Sequence, residues 1–176
     1  MRSTEFYPLI YILVVIFLGL GSMWFHASLT QWGGVLDNLS MYTFTNFLVF
    51  YTIVRLTNVD LLFYIGYPVA TAGITLVAAL GASSLIVCIF SVATYFIFEG
   101  IIWLCKPDVR NDCPTFWKYW VPGVASILIS TVLWVLSQTD APLCFNTHLF
   151  QFHGVWHMGA GASALFLYFF WRNARR

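Results

Sequence analysis

The sequence predicts an all-α, polytopic transmembrane helix bundle of six spans, and three observations predict it. First, of 176 residues 60% are hydrophobic and only 9% charged, with a mean hydropathy of +0.81; soluble domains are roughly 25% charged. Second, the apolar residues fall into six runs suited to a hydrocarbon core of ~30 Å, which takes roughly 20 residues per helix because no backbone polar group can be left unpaired in lipid. Third, the chain has eight Lys and Arg residues, and a six-span path puts every one of them on the same side of the membrane.

The first run extends from about Tyr7 to Leu29 and contains no Asp, Glu, Lys or Arg. It is too long for a cleavable signal peptide and is read as retained. The second starts near Asn38 and stops at Arg55. The third begins near Leu62 and ends at the small polar turn Gly81-Ala82-Ser83-Ser84, and the fourth continues from there to about Leu104. The fifth lies between Tyr119 and Leu136, and the sixth runs from about Leu149 to Trp171. The runs are continuously apolar and do not alternate every second residue, which excludes a transmembrane β-barrel. With no repeat, low-complexity tract or linker, residues 1–176 are expected to form a single transmembrane domain.

Arg2, Arg55, Lys106, Arg110, Lys118, Arg172, Arg175 and Arg176 mark the cytoplasmic side, where both termini are expected. The loops near Thr30 to Asp37, Gly81 to Ser84 and Gln138 to His148 carry no basic residue and face the other side. Losing one span would scramble this partition, so it also supports the helix count. A formal net charge of +1 excludes a nucleic-acid binder working through a basic surface. Cys88, Cys105, Cys113 and Cys144 form neither a CxxC pair nor a disulfide framework, and are expected to be mostly free thiols. Cys113 and Cys144 fall on opposite sides of the membrane, so they cannot pair within one chain.

Ionisable groups inside a bundle are costly and point to function. The candidates are Ser22 and His26 on helix one, Asp37 entering helix two, Glu99 in helix four, and His153 with His157 entering helix six. Ser22 and His26, like His153 and His157, are four residues apart and share a helix face. Helix one leaves the membrane just after His26, helix two enters just after Asp37, and helix six enters just before His153. All these ends lie on the non-cytoplasmic side, so three histidines and a carboxylate can meet in one layer.

Three imidazoles with an open fourth position are the ligand set of a catalytic zinc, which makes water nucleophilic near neutral pH. Asp37 then serves as general base and proton donor to the leaving group, and Ser22 can hydrogen-bond the water or the developing oxyanion. Taken singly, each residue has a plainer role. A histidine can be an interfacial ring, Asp37 can cap helix two, and Ser22 can be a small packing residue beside Gly19 and Gly21. Glu99, near the cytoplasmic end of helix four, can reach water or pair with Lys106. Trp156, between two proposed ligands, is expected to line a pocket. His148 is expected to be solvated.

Gly19-Leu20-Gly21-Ser22-Met23-Trp24-Phe25-His26-Ala27-Ser28-Leu29-Thr30, followed by Leu36-Asp37-Asn38-Leu39-Ser40-Met41, resembles the first signature of the alkaline ceramidases. Phe152-His153-Gly154-Val155-Trp156-His157 resembles their second, with Asp140 to Cys144 like the short segment preceding it. The family belongs to a wider group of zinc-containing membrane hydrolases that includes the adiponectin receptors. The resemblance implies a zinc amidase that cleaves the N-acyl bond of ceramide or a related membrane lipid amide to a sphingoid base and a fatty acid. By position, His26, His153 and His157 would hold Zn2+, with Ser22 and Asp37 beside the water. Family members typically have seven helices, and this chain corresponds to the family from its second helix onward. The acidic N-terminal motif associated with calcium in the animal enzymes has no counterpart in Met1-Arg2-Ser3-Thr4-Glu5, and Asp37-Asn38 replaces the usual acidic pair.

Two other functions compete with this one. A lipid-sensing receptor with a structural zinc would bind lipid without turnover. A small transporter would use Glu99 and the histidines, and would lose flux on Glu99→Gln.

Overall fold

A computed structural model describes residues 6–106, 115–136 and 152–173. Within them are six long helices and no strand, at nearly the positions the apolar runs predict: α1 (Phe6–Ser28), α2 (Gln31–Thr57), α3 (Tyr67–Ala79), α4 (Ser84–Cys105), α5 (Val121–Leu136) and α6 (Phe152–Asn173). Arg2, Arg110, Cys113, Asp140, Cys144, His148, Arg175 and Arg176, and the expectations attached to them, lie outside the described residues.

Two helices are extended backwards by a π-helical turn, Leu62–Gly66 before α3 and Phe116–Trp120 before α5. Each turn is followed within two residues by a proline, Pro68 or Pro122. Proline removes an amide donor and crowds the carbonyl one turn back, and a wider turn relieves that crowding. The extended helices, Leu62–Ala79 and Phe116–Leu136, join Phe6–Ser28 and Ile86–Cys105 as four segments long and apolar enough to cross a membrane. α2 and α6, with 27 and 22 residues, span ~40 and ~33 Å at 1.5 Å per residue. Their polar residues, Asp37, Asn46, Thr52 and Arg55 in α2 and the histidines and glycines in α6, lower their hydropathy.

Apolar stripes face outward. Leu9, Leu13, Ile16 and Leu20 recur at helical spacing on α1 and are each more than half exposed, as are Ile86, Ile89, Phe90 and Ile97 on α4. Patches of this kind are stable against lipid and costly against water.

The chain divides into two compact units, Met1–Pro107 and Asp108–Arg176. In the first, α2 packs against α1, α3 and α4. Its centre is aromatic: Phe63 lies with ring centroids 5.0 Å from Tyr7, 5.4 Å from Phe47 and 4.9 Å from Tyr67, separations at which tilted and offset ring pairs attract. In the second, α5 and α6 pair closely. A side chain at Gly159 would collide with Ser130, so the glycine sets how near the two helices come.

α2 begins seven residues before the expected start at Asn38. Thr30 caps it, its Oγ1 accepting from the Gly33 amide at 3.1 Å. Asp37 therefore does not cap the helix, as one reading of the sequence had it; it lies almost two turns inside. At the other end Asn58 adopts the left-handed conformation (φ 59°), and its amide donates to the Val54 carbonyl. The turn before α4 is the expected Gly81-Ala82-Ser83-Ser84 segment, opened by Gly81 at φ 104°.

Candidate metal centre and amidase site

The sequence-predicted residues divide between the two units. Ser22, His26 and Asp37 belong to the first, His153 and His157 to the second.

In the first unit, Gly21 brings α1 against the turn of α2 that carries Asp37. A Cβ at Gly21 would stand 2.9 Å from Ser40 Oγ and 3.1 Å from the Leu36 carbonyl oxygen, closer than side chains tolerate. Only the glycine allows this approach. Ser22, the next residue, is buried, and its Oγ has no hydrogen-bond partner among the described residues. An orphaned buried hydroxyl costs free energy unless a water or a bound group satisfies it. His26, one turn on, is exposed, with its ring 5.3 Å from that of Phe25. Asp37 is half-buried. Its backbone carbonyl accepts from Ser40 Oγ at 2.7 Å, and its carboxylate lies within electrostatic reach of the Cys88 thiol on α4.

In the second unit, the i, i+4 spacing of His153 and His157 brings their Nε2 atoms to 3.0 Å, with the rings at 80° to one another. Two nitrogen ligands of a tetrahedral zinc at ~2.0–2.1 Å stand roughly 3.3 Å apart. The pair stands slightly inside that spacing, so the two nitrogens are near enough to share one metal ion. Trp156 packs beside it, tilted 5.8 Å from His153 and edge-on 4.8 Å from His157, and Trp134 of α5 packs 5.5 Å from Trp156. Trp156 thus contacts both histidines; Trp134 was missed, because a tryptophan near a helix end reads as part of an interfacial belt.

Glu99 is ion-paired, with Arg55 and not with Lys106. Arg55 Nη1 donates to both Glu99 oxygens, at 2.6 and 2.9 Å, and Thr52 Oγ1 donates to Oε2 at 3.3 Å. Lys106 Nζ instead donates to the Arg55 backbone carbonyl, closing the C-terminal end of α2. Cys88 and Cys105 are free thiols.

A family model described as Ceramidase matches residues 1–175. No curated protein and no solved structure matches the chain. The match runs over all but the last residue and covers both the Ser22–Asp37 segment and the histidine pair, so the chain belongs to the ceramidase family.

Proposed function

We propose that the protein is a zinc-dependent integral-membrane amidase that hydrolyses the N-acyl bond of ceramide or a related lipid amide, releasing a sphingoid base and a fatty acid. Family membership supplies the ceramide-hydrolysing role at the level of the family. The observation that carries the finer reading is the His153–His157 pair, two imidazole nitrogens at zinc-ligand spacing on one helix.

In this reading His26 completes the ligand set, and all six helices span the bilayer with both termini cytoplasmic and the site towards the opposite leaflet. Zinc held there supplies a Lewis acid that polarises the amide carbonyl and makes water nucleophilic at neutral pH. Asp37 takes the proton of the attacking water and returns it to the departing amine nitrogen. Ser22, whose hydroxyl has no hydrogen-bond partner among the described residues, donates to the carbonyl oxygen as negative charge develops on it. The substrate reaches the site sideways from the bilayer, along the exposed apolar faces that already suit lipid.

Element analysis of the purified protein, paired with mass spectrometry of products from a mixed lipid extract, tests the proposal. Close to one zinc per chain is expected, with amide hydrolysis, and His157→Ala should lose both. Hydrolysis that survives stringent metal removal would overturn it.

A further inference from the structure

The buried ion pair of Arg55 and Glu99 has no part in the chemistry above, yet it stands on the face of α2 that carries Asp37. Asp37 and Arg55 are 18 residues apart in one unbroken helix, which at about 100° per residue is five whole turns and ~27 Å. Their side chains therefore leave α2 in the same direction. α1 packs on one side of that line: Ser40, against Gly21, and Tyr51, against Tyr7, lie about 60° and 40° round from it. α4 packs on the other side, where Thr52, about 60° round, donates to Glu99. Among the described residues α1 and α4 hardly touch one another, so a crevice runs down α2 between them.

Met41, Phe44 and Leu48 succeed one another along this line, so the crevice is apolar between Asp37 and the ion pair. It is open at one end and closed at the other. Asp37, Met41 and Phe44 are half-buried, whereas Leu48 and Glu99 are each only 4% exposed. An acyl chain that enters beside Asp37 gains about fourfold in affinity for each methylene it buries. Leucine and methionine side chains can shift to admit it, but the ion pair cannot. Three hydrogen bonds converge on the Glu99 oxygens and Lys106 holds the Arg55 backbone, and parting two buried charges strands both. We propose that Arg55 and Glu99 form the floor of an acyl-chain crevice, whose depth sets the longest acyl chain of the lipid amide that the protein cleaves. The effect of this floor on turnover rests on the amidase reading; its effect on lipid binding does not.

Ceramides that differ only in acyl length, from short to very long, test this on the full-length protein, read by kcat/KM for hydrolysis and by the Tm each ceramide confers. Both should rise with acyl length to a limit and then fall. Arg55→Ala combined with Glu99→Ala strands no charge and deepens the crevice. It should raise kcat/KM for the very long chain relative to the long one about tenfold, the worth of nearly two methylenes. Asn46→Leu, on the opposite side of α2 from Asp37, should leave that ratio at the wild-type value. An unmoved ratio in the double variant, or an equal change in Asn46→Leu, overturns the proposal. If the double alanine variant does not fold, Arg55→Leu with Glu99→Leu replaces it with the same expectation. If the unaltered protein hydrolyses no ceramide, the amidase reading fails and Tm alone decides: a length limit on stabilisation that moves in the double variant upholds the crevice, and one that stays overturns it.

Discussion

The Arg55 guanidinium of α2 and the Glu99 carboxylate of α4 form a buried ion pair, with Nη1 2.6 Å from one carboxylate oxygen and 2.9 Å from the other. Both side chains are more than nine-tenths buried, so neither charge has water to fall back on. Removing one partner strands the other, at a cost of about 3–5 kcal/mol, whereas replacing both by apolar residues is often neutral. Arg55→Leu and Glu99→Leu should each lower Tm strongly, and the double variant should recover most of the loss. Thermal unfolding of the three variants in detergent checks this; equal or additive losses would show that the pair does not act as a unit.

The close approach of α1 to α2 depends on one glycine and not on its neighbour. A Cβ at Gly21 would stand 2.9 Å from Ser40 Oγ and 3.1 Å from the Leu36 carbonyl oxygen, while Gly19 has open space. Gly21→Val should therefore force the helices apart, destabilising by about 1–3 kcal/mol, and should displace Ser22 from the Asp37 turn with a loss of amidase activity. Gly19→Ala should be neutral in both measurements. A Gly21→Val variant with unchanged Tm and turnover would contradict the contact.

Helix order and most boundaries, the start of α2 excepted, were legible because punctuation such as Gly81-Ala82-Ser83-Ser84 and Lys106-Pro107 interrupts long apolar runs. The His153–His157 pair was legible too, since spacing of four fixes a shared face. What the sequence hid was partnership across helices. Arg55 looked like a span boundary, so its pairing with Glu99 went unseen, although both residues lie towards the same end of their helices. The start of α2 was misplaced because Trp32-Gly33-Gly34 reads as loop while the Thr30 cap overrides it. The π turns before Pro68 and Pro122 leave no mark in a uniformly apolar run, where the helical period is already blurred.

Tyr7 ties the start of α1 to the turn after α2, its hydroxyl donating to Asp60 Oδ1 at 2.5 Å. The ring itself is buried in the aromatic centre against Phe63 and Tyr51. Tyr7→Phe keeps that packing and removes only the hydrogen bond, whose net worth is about 1 kcal/mol. A Tm decrease of ~2–4 °C is expected. Tyr64→Phe, at a half-exposed position, should leave Tm unchanged. Equal shifts in the two variants would mean that the Asp60 contact contributes nothing.

A ligand that binds only the folded chain raises its stability by mass action, about 2.7 kcal/mol when its free concentration is a hundred times its dissociation constant. If the His153 and His157 nitrogens hold zinc, stripping the metal with a strong chelator should lower Tm by several degrees. Adding zinc back should restore it. Magnesium and calcium should not, because both select oxygen ligands over imidazole. His157→Ala should start from the lower Tm and respond to neither chelator nor zinc. This readout needs no turnover, so it separates metal binding from amide hydrolysis. A wild-type Tm indifferent to the chelator would leave the 3.0 Å approach of the two imidazoles as an ordinary hydrogen bond between histidines.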